Sequence, residues 1–231
     1  MSQKGGKNNS NMKNEILRYL GYKNQEIDSH IDELIDDAME EIGSLEKERY
    51  IYRSFEIDKD DGEHISLLGS NLQLYGEDIK DHLSKSKNCI LMGASLGHQV
   101  DTRIRYYEKL SMTKAVILDA CASARIEQLC DKVCKEIEDE LLMEKKTITH
   151  RYSPGYGDLP IQIQGDFLSA LNAKRTIGLT ASASSILIPR KSVTAIVGII
   201  DIGETRKEIN CENCNKFNTC NYSKGGSGCG Y

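Results

Sequence analysis

Apolar residues recur at helical spacing early in the chain. Residues 31–45 place apolar side chains every third or fourth position, with Asp and Glu filling the opposite face. This 3.6-residue period predicts an amphipathic helix. An earlier helical pattern starts near Ile16 and stops at Gly21, where a glycine commonly ends a helix. Further helices are predicted over residues 77–83, 100–110, 115–142 and 167–171.

Other stretches follow the two-residue period of a strand. Tyr50 to Ile57 alternates apolar and polar positions and runs into the polar turn Asp58-Lys-Asp-Asp-Gly62, which predicts a half-buried strand. Strands or extended segments are also predicted over residues 89–92, 147–150 and 193–200, with a loop over 151–160. Helices and strands alternate without a regular βαβ repeat, so the pattern favours an α+β fold.

Composition and charge limit the classes of function. With 39% hydrophobic and 28% charged residues, the 231-residue chain is typical of a globular protein with one main domain. The formal charge of -5 argues against a nucleic-acid partner. No apolar run reaches the ~18 residues needed to span a bilayer, and the N-terminus lacks a signal-peptide pattern, so we expect a cytoplasmic protein without a membrane partner.

The loop Arg151-Tyr-Ser-Pro-Gly-Tyr-Gly-Asp158 carries the strongest chemical signal. Pro154 restricts the backbone, while Gly155 and Gly157 allow the main chain to approach a ligand closely. The guanidinium fork of Arg151 suits a carboxylate, and the ring of Tyr156 suits an adenine or a sulfonium. A rigid turn with a surface arginine and a packing tyrosine is the simpler alternative, and spacing alone leaves any ligand unidentified.

This loop resembles the AdoMet-binding motif Arg-x-x-Pro-Gly-Tyr of the activation (reactivation) domain of cobalamin-dependent methionine synthase. Four other segments are similar to those of its short, free-standing members: Glu15–Tyr22, Ala94–Gly97, Leu118–Ala120 and Ile188–Val193. The resemblance as a whole extends over about residues 15–200. The resemblance implies helices packed on a mainly antiparallel twisted sheet. It also assigns the AdoMet contacts to Arg151, Ser153, Gly155 and Tyr156.

The resemblance further implies an accessory role in a methyltransferase system. The cobalamin cofactor would be carried by a separate methionine synthase, or by another corrinoid protein, and the electron would come from a flavodoxin- or ferredoxin-type reductant. The full-length domain has a paired-tyrosine contact where this chain has Ala195-Ile-Val-Gly198, so that part of the ligand contact is missing here. No catalytic residue is assigned.

The last segment of the chain concentrates cysteines. Its residues are rich in Gly, Asn and Ser and include four cysteines that together form a predicted zinc or iron-sulfur site: Cys211, Cys214, Cys220 and Cys229. A segment of reduced thiols is the alternative. The expected organisation is a disordered tail over 1–14, an activation-domain-like region over 15–209 and a cysteine-rich tail over 210–231.

Two other functions stay open at this stage. The cysteine segment could be the working part of an electron-transfer or interaction module that ignores AdoMet. Alternatively, the chain could bind AdoMet but activate a different corrinoid methyltransferase. AdoMet binding separates the first of these from an activation-domain role, and the identity of the bound partner separates the second.

Overall fold

The computed structural model describes residues 4–23, 25–58, 62 and 64–204. Its α-helices are α1 (Lys4–Tyr19), α2 (Ser29–Leu45), α3 (Glu77–His82), α4 (His98–Leu110), α5 (Met112–Leu141), α6 (Gln164–Ala170) and α7 (Ala173–Thr176). Short 3-10 helices lie at Leu142–Glu144 and Ile161–Ile163. Its strands are β1 (Arg49–Asp58), β2 (Ile65–Leu67), β3 (Gln73–Leu74), β4 (Asn88–Ser95), β5 (Lys146–Ile148), β6 (Thr180–Ala181), β7 (Leu187–Ile188) and β8 (Ser192–Asp201).

Six of these strands form one sheet in the order β3-β2-β1-β4-β8-β5, and β6 pairs with β7 in a separate two-stranded sheet. The pairs β1–β2, β2–β3, β5–β8 and β6–β7 are antiparallel. In the β5–β8 pair, Thr147 lies opposite Ile200. The protein therefore has the predicted α+β architecture, with helices packed on a mostly antiparallel sheet.

The chain divides into two compact units. The first contains the described residues of Met1–Ile51, Gly93–Cys134 and Ala173–Val193, and the second contains those of Tyr52–Met92, Lys135–Asn172 and Thr194–Tyr231. Each unit is built from three separate stretches of chain, so neither corresponds to a contiguous sequence segment.

Helix α2 shows how the sequence pattern builds the first unit. Its apolar face buries Ile35, Ala38 and Ile42, as the helical period predicts. Asp28 caps the start of the helix by accepting a hydrogen bond from the His30 amide at 2.8 Å. At the other end, Glu46 receives three hydrogen bonds from the Arg125 guanidinium of α5, at 2.6 Å, 2.7 Å and 3.0 Å. This fork ties α2 to α5.

The core of the second unit combines the short helices α3 and α6 with the long strand β8. Phe167 of α6, Ile79 of α3 and Ala195 to Val197 of β8 have no exposed surface. Gln164 and Thr194 are both buried and satisfy each other, since the Gln164 Nε2 donates to the Thr194 Oγ1 at 2.6 Å. Pairing of buried polar groups avoids the penalty of leaving either one without a partner.

Several boundaries differ from the sequence predictions. Helix α1 begins at Lys4 and so extends into residues 1–14, which composition assigned to a disordered tail. Met12 is buried, and the Lys13 ammonium lies 2.6 Å from Asp32 and 3.0 Å from Asp36 of α2. These tertiary contacts hold Met12 and Lys13 in place, although the scarcity of apolar residues in this segment predicted a disordered tail. Strand β4 also continues three residues past its predicted end at Met92.

Among the described residues, no helix combines the length and the apolar character needed to cross a membrane. The long helix α5 has no exposed residue from Ile117 to Ile126, and its buried residues include Cys121 and Cys130. Burial raises the pKa of the Cys121 thiol to about 12. Such a thiol stays protonated at neutral pH and is a poor nucleophile.

Candidate functional site

The candidate ligand loop follows β5 in the second unit and is joined to β8 at its start. Tyr152 and Ile196 form an isolated antiparallel bridge. The Tyr152 amide donates to the Ile196 carbonyl at 2.9 Å, and the Ile196 amide donates back at 2.8 Å. This bridge fixes the backbone immediately after Arg151 to a buried strand.

Two consecutive turns then shape the loop. The Tyr156 amide donates to the Ser153 carbonyl at 3.0 Å, with Pro154 and Gly155 as the central residues. Gly155 has a φ of 95°. A proline followed by a glycine at positive φ is the arrangement of a type II turn, which explains the Pro-Gly pair of the motif. The Leu159 amide closes the second turn onto the Tyr156 carbonyl at 3.0 Å.

Of the four residues predicted to bind AdoMet, Ser153, Gly155 and Tyr156 lie in these turns, and Arg151 lies two positions before them. Arg151 and Ser153 are half-buried, Gly155 is exposed, and Tyr156 is 41% exposed. The Gly155 amide donates to the Leu159 carbonyl at 2.9 Å, and the Tyr156 amide is used in the first turn. Both amide protons are therefore committed within the loop. The Tyr156 carbonyl accepts the Leu159 amide and the Tyr152 hydroxyl, so the group that Tyr156 offers to a ligand is its side chain.

A cluster of aromatic rings lies under the loop. The Tyr152 side chain is buried, and its hydroxyl donates to the Tyr156 carbonyl at 3.2 Å. The Tyr152 ring centroid is 5.1 Å from that of His82, which in turn is 4.4 Å from that of His150. Sequence reasoning assigned His150 no role and did not single out His82 or Tyr152, because their contact depends on the return of α3 to this part of the chain.

Burial sets the protonation states of His82 and Tyr152. Burial, followed by the neighbouring His150, lowers the pKa of His82 to about 3, so its ring is neutral near pH 7. Burial also raises the pKa of Tyr152 above its usual range, with further contributions from the charges of Asp78 and Asp158. Tyr152 therefore keeps its hydroxyl proton for the hydrogen bond to the loop.

The segment Ala195-Ile-Val-Gly198, for which the resemblance predicts the loss of a tyrosine pair, lies in β8. Ala195, Ile196 and Val197 are completely buried and belong to the core of the second unit. A Cβ added at Gly198 would lie 2.2 Å from the Ser86 Oγ and 3.1 Å from the Leu83 Cδ2. A large side chain at Gly198 would therefore need its neighbours to move.

Three of the other segments used in the resemblance meet in the first unit. The Lys191 ammonium lies 2.9 Å from the Asp119 carboxylate and 2.8 Å from the Ser123 hydroxyl. The Ser192 hydroxyl donates to Ser95 at 2.8 Å. These contacts connect segments 94–97, 118–120 and 188–193 through polar side chains, although they are far apart in the sequence.

The predicted metal ligands Cys211, Cys214, Cys220 and Cys229 lie outside the described residues. Within residues 4–204, apart from the gaps given above, the structure holds no group of three or more His, Cys, Asp or Glu side chains that could bind a metal ion. The zinc or iron-sulfur site therefore stays a prediction.

The sheet order, the helices packed on it and the turn-built loop define an α+β protein with the fold of a methionine synthase reactivation domain. A crystal structure of the MetH reactivation domain bound to AdoHcy superposes on this chain with a TM-score of 0.56. The two sequences are 14% identical, and the match covers 78% of this chain and 68% of that chain. No family model and no curated protein matches this sequence.

Proposed function

We propose that this chain binds AdoMet through the loop at Arg151 to Tyr156 and supports reductive methylation of cobalamin on a separate methionine synthase. The supporting observation is the motif Arg-x-x-Pro-Gly-Tyr, built as two hydrogen-bonded turns within this fold. The structural neighbour binds AdoHcy, which is AdoMet without its methyl group. The turns give the loop a defined shape, and this order lowers the entropy that ligand binding would otherwise lose.

The groups of the loop fit the groups of AdoMet. Arg151 supplies a planar fork for the methionine carboxylate, and the Ser153 hydroxyl can exchange hydrogen bonds with a polar group of the ligand. The 41% exposed ring of Tyr156 can receive the adenine face or the sulfonium cation. Gly155 is exposed, and the atoms nearest to a Cβ added there belong to Ile161, at 3.6 Å or more. The turn needs the positive φ of Gly155, and the AdoMet contact predicted for this residue stays part of the proposal.

The reaction in this proposal joins cob(II)alamin, one electron and the AdoMet methyl group to give methylcobalamin and AdoHcy. This chain would contribute by binding AdoMet and orienting its methyl group, which is catalysis by positioning. No side chain of the loop has to exchange a proton for this balance. The electron comes from a flavodoxin- or ferredoxin-type reductant in the proposal.

Calorimetric titration with AdoMet tests the binding step. Arg151→Ala is expected to weaken AdoMet binding roughly 10- to 100-fold, because a charge-assisted hydrogen-bond pair to the carboxylate is lost. The matched control is Arg105→Ala, which removes an exposed arginine of α4 in the first unit and should leave the affinity unchanged. Folded wild-type protein that gives no heat with AdoMet would overturn the proposal.

A second experiment tests the partner. Immobilised protein is incubated with a methionine synthase that lacks its own activation domain, with and without AdoMet and a chemical reductant. The proposal expects capture of the synthase and recovery of its methyl transfer from the cob(II)alamin state. Recovery with another corrinoid methyltransferase but not with the synthase would favour the alternative of a different corrinoid partner.

A further inference from the structure

Helix α3 is held at both ends by residues of the candidate AdoMet loop or of the two positions before it. The helix has only six residues, from Glu77 to His82. Helices of this length are unstable without tertiary contacts. The contacts with the segment from Thr149 to Asp158 therefore stabilise the helix, and the same contacts hold that segment in place.

The first contact is at the start of α3. Gly76 occupies the N-cap position and has no side chain that could cap the helix. The carboxylate of Asp158 caps the helix instead, although Asp158 is 81 positions away from Glu77 in the sequence. It accepts hydrogen bonds from the Glu77 amide at 2.6 Å and from the Asp78 amide at 3.2 Å. A carboxylate at this position satisfies free amides and interacts favourably with the positive end of the helix dipole.

Two glycines allow this contact. A Cβ at Gly76 would lie 2.3 Å from the Asp158 Oδ1. A Cβ at Gly157 would lie 2.2 Å from both the Asp78 Oδ2 and the Tyr152 hydroxyl. Both glycines also have positive φ, 127° at Gly76 and 51° at Gly157. The loop and the helix approach so closely here that neither position accepts a side chain without movement.

The second contact is at the end of α3. The Thr149 hydroxyl lies 3.0 Å from the His82 Nε2 and receives the Gly198 amide at 2.8 Å. The His82 ring also has a hydrogen bond to the backbone of Ile196, whose own amide bonds to Tyr152. His82 thus connects the residues before Arg151 to the strand β8. The two ends of the loop are fixed to the two ends of one helix.

We infer that α3 positions the AdoMet loop and that Asp158, which no AdoMet contact requires, is a positioning residue whose carboxylate sets the ligand affinity. The inference rests on the proposed function. We call the loop closed when both of its turn hydrogen bonds, Tyr156 to Ser153 and Leu159 to Tyr156, are formed. With Asp158 in place, the loop stays closed and can bind AdoMet. Without it, only a fraction of molecules holds the closed loop, and the apparent dissociation constant rises by the inverse of that fraction.

Asp158→Ala and Asp158→Asn separate this role from a general loss of fold. Alanine removes the cap, so AdoMet binding is expected to weaken about tenfold if one molecule in ten keeps the closed loop. Asparagine keeps an acceptor oxygen and caps helices nearly as well as aspartate, so it should restore affinity to within about threefold of wild type. Asp166→Ala, an exposed carboxylate of α6, is the control.

Hydrogen exchange gives a second measurement that does not need the ligand. In Asp158→Ala, the Glu77, Asp78 and Tyr156 amides should exchange faster than in wild type, and saturating AdoMet should restore protection at Tyr156. Wild-type affinity in Asp158→Ala despite faster exchange would overturn the positioning role alone, and so would unchanged exchange. Absence of AdoMet binding in wild type would overturn the proposed function, while the exchange rates would still report the contact between loop and helix.

Discussion

His82 is expected to make stability depend on pH. Its pKa is lowered to about 3 in the folded protein, first by burial and then by His150, against about 6.5 in an unfolded chain. The unfolded state therefore binds the proton first, so the contribution of His82 is present above pH ~6.5 and is lost as the pH falls toward 3. The slope can reach about 1.4 kcal/mol per pH unit for one proton.

Urea denaturation between pH 7 and pH 4 measures this effect. His82→Gln removes the titrating group while keeping an amide that can donate and accept hydrogen bonds. The variant should show a smaller decrease in the free energy of unfolding over this range than wild type. His98→Gln, which removes an exposed histidine of α4, should keep the wild-type decrease. Equal slopes in wild type and His82→Gln would contradict the assignment.

Gly157 is the residue at which added bulk should matter most for the loop. Its φ is 51°, and a Cβ would overlap the Asp78 carboxylate and the Tyr152 hydroxyl. Gly157→Ala should lower the free energy of unfolding by about 1–3 kcal/mol through backbone strain and overpacking. Gly165→Ala is the matched control, because that glycine lies in α6 with no atom within 4 Å of an added Cβ.

The control should be neutral or slightly stabilising, since alanine favours a helix over glycine. Thermal unfolding of the two variants and wild type makes the comparison. A Gly157→Ala protein as stable as Gly165→Ala would mean that the loop and α3 do not approach as closely as the structure places them.

At the scale of elements, long periodic segments were predictable from the sequence, whereas four of the short strands were not. Helix α2 and helix α5 follow from the apolar period, and β1 follows from alternation over Tyr50 to Ile57. The strands β2, β3, β6 and β7 have two or three residues each, too few for alternation to be visible. They exist because neighbouring strands offer them hydrogen bonds, which is a property of the tertiary fold.

The candidate loop was predictable for a local reason and its support was not. The Pro154-Gly155 pair specifies a turn by itself, and the family resemblance singled out Arg151 and Tyr156. Asp158 and His82 support the loop through hydrogen bonds to residues that lie far away in the sequence, at separations of 81 and 67 positions. No local pattern in the sequence reports such a contact.

The fork between α5 and the end of α2 is expected to stabilise the first unit measurably. The Glu46 side chain is only 9% exposed, and the hydrogen bonds of Arg125 to it raise the pKa of the guanidinium. Arg125→Ala leaves this carboxylate without its fork and should lower the free energy of unfolding by about 2 kcal/mol. Lys135→Ala, which breaks an exposed pair with Asp139, should change it little.

Urea denaturation at low and high salt distinguishes the two pairs. The effect of Arg125→Ala should persist at 1 M salt, because a largely buried pair is screened less than an exposed one. An effect of Arg125→Ala no larger than that of Lys135→Ala would show that the fork adds little to stability.

At the scale of the whole molecule, the segments predicted from the sequence differ from the two compact units of the structure. The predicted boundaries at residues 14 and 209 follow changes in composition, whereas the two compact units interleave three stretches of chain each. A cut of the chain between residues 52 and 193 would therefore interrupt both units. This makes a deletion near residue 209 the informative truncation, since only the predicted cysteine-rich segment is removed.

We propose that residues 210–231 bind zinc or an iron-sulfur cluster independently of the AdoMet loop. The full chain, purified without oxygen, should contain zinc or iron by elemental analysis, and a chain ending at residue 209 should contain neither. Cys211→Ser with Cys214→Ser should also lose the metal, because serine does not replace two thiolate ligands. Cys134→Ser, outside this segment, is the control.

The truncated chain should keep its AdoMet affinity and its unfolding midpoint. The loop follows β5 and is held by hydrogen bonds to β8 and α3, all of which remain in the truncated chain. A midpoint that falls together with metal loss would mean that the segment is part of the folded core, since structural metal sites contribute directly to folding. A full chain with neither zinc nor iron would overturn the metal proposal and leave the proposed AdoMet-binding domain followed by reduced thiols. The electron would then have to reach the cobalamin without passing through this chain.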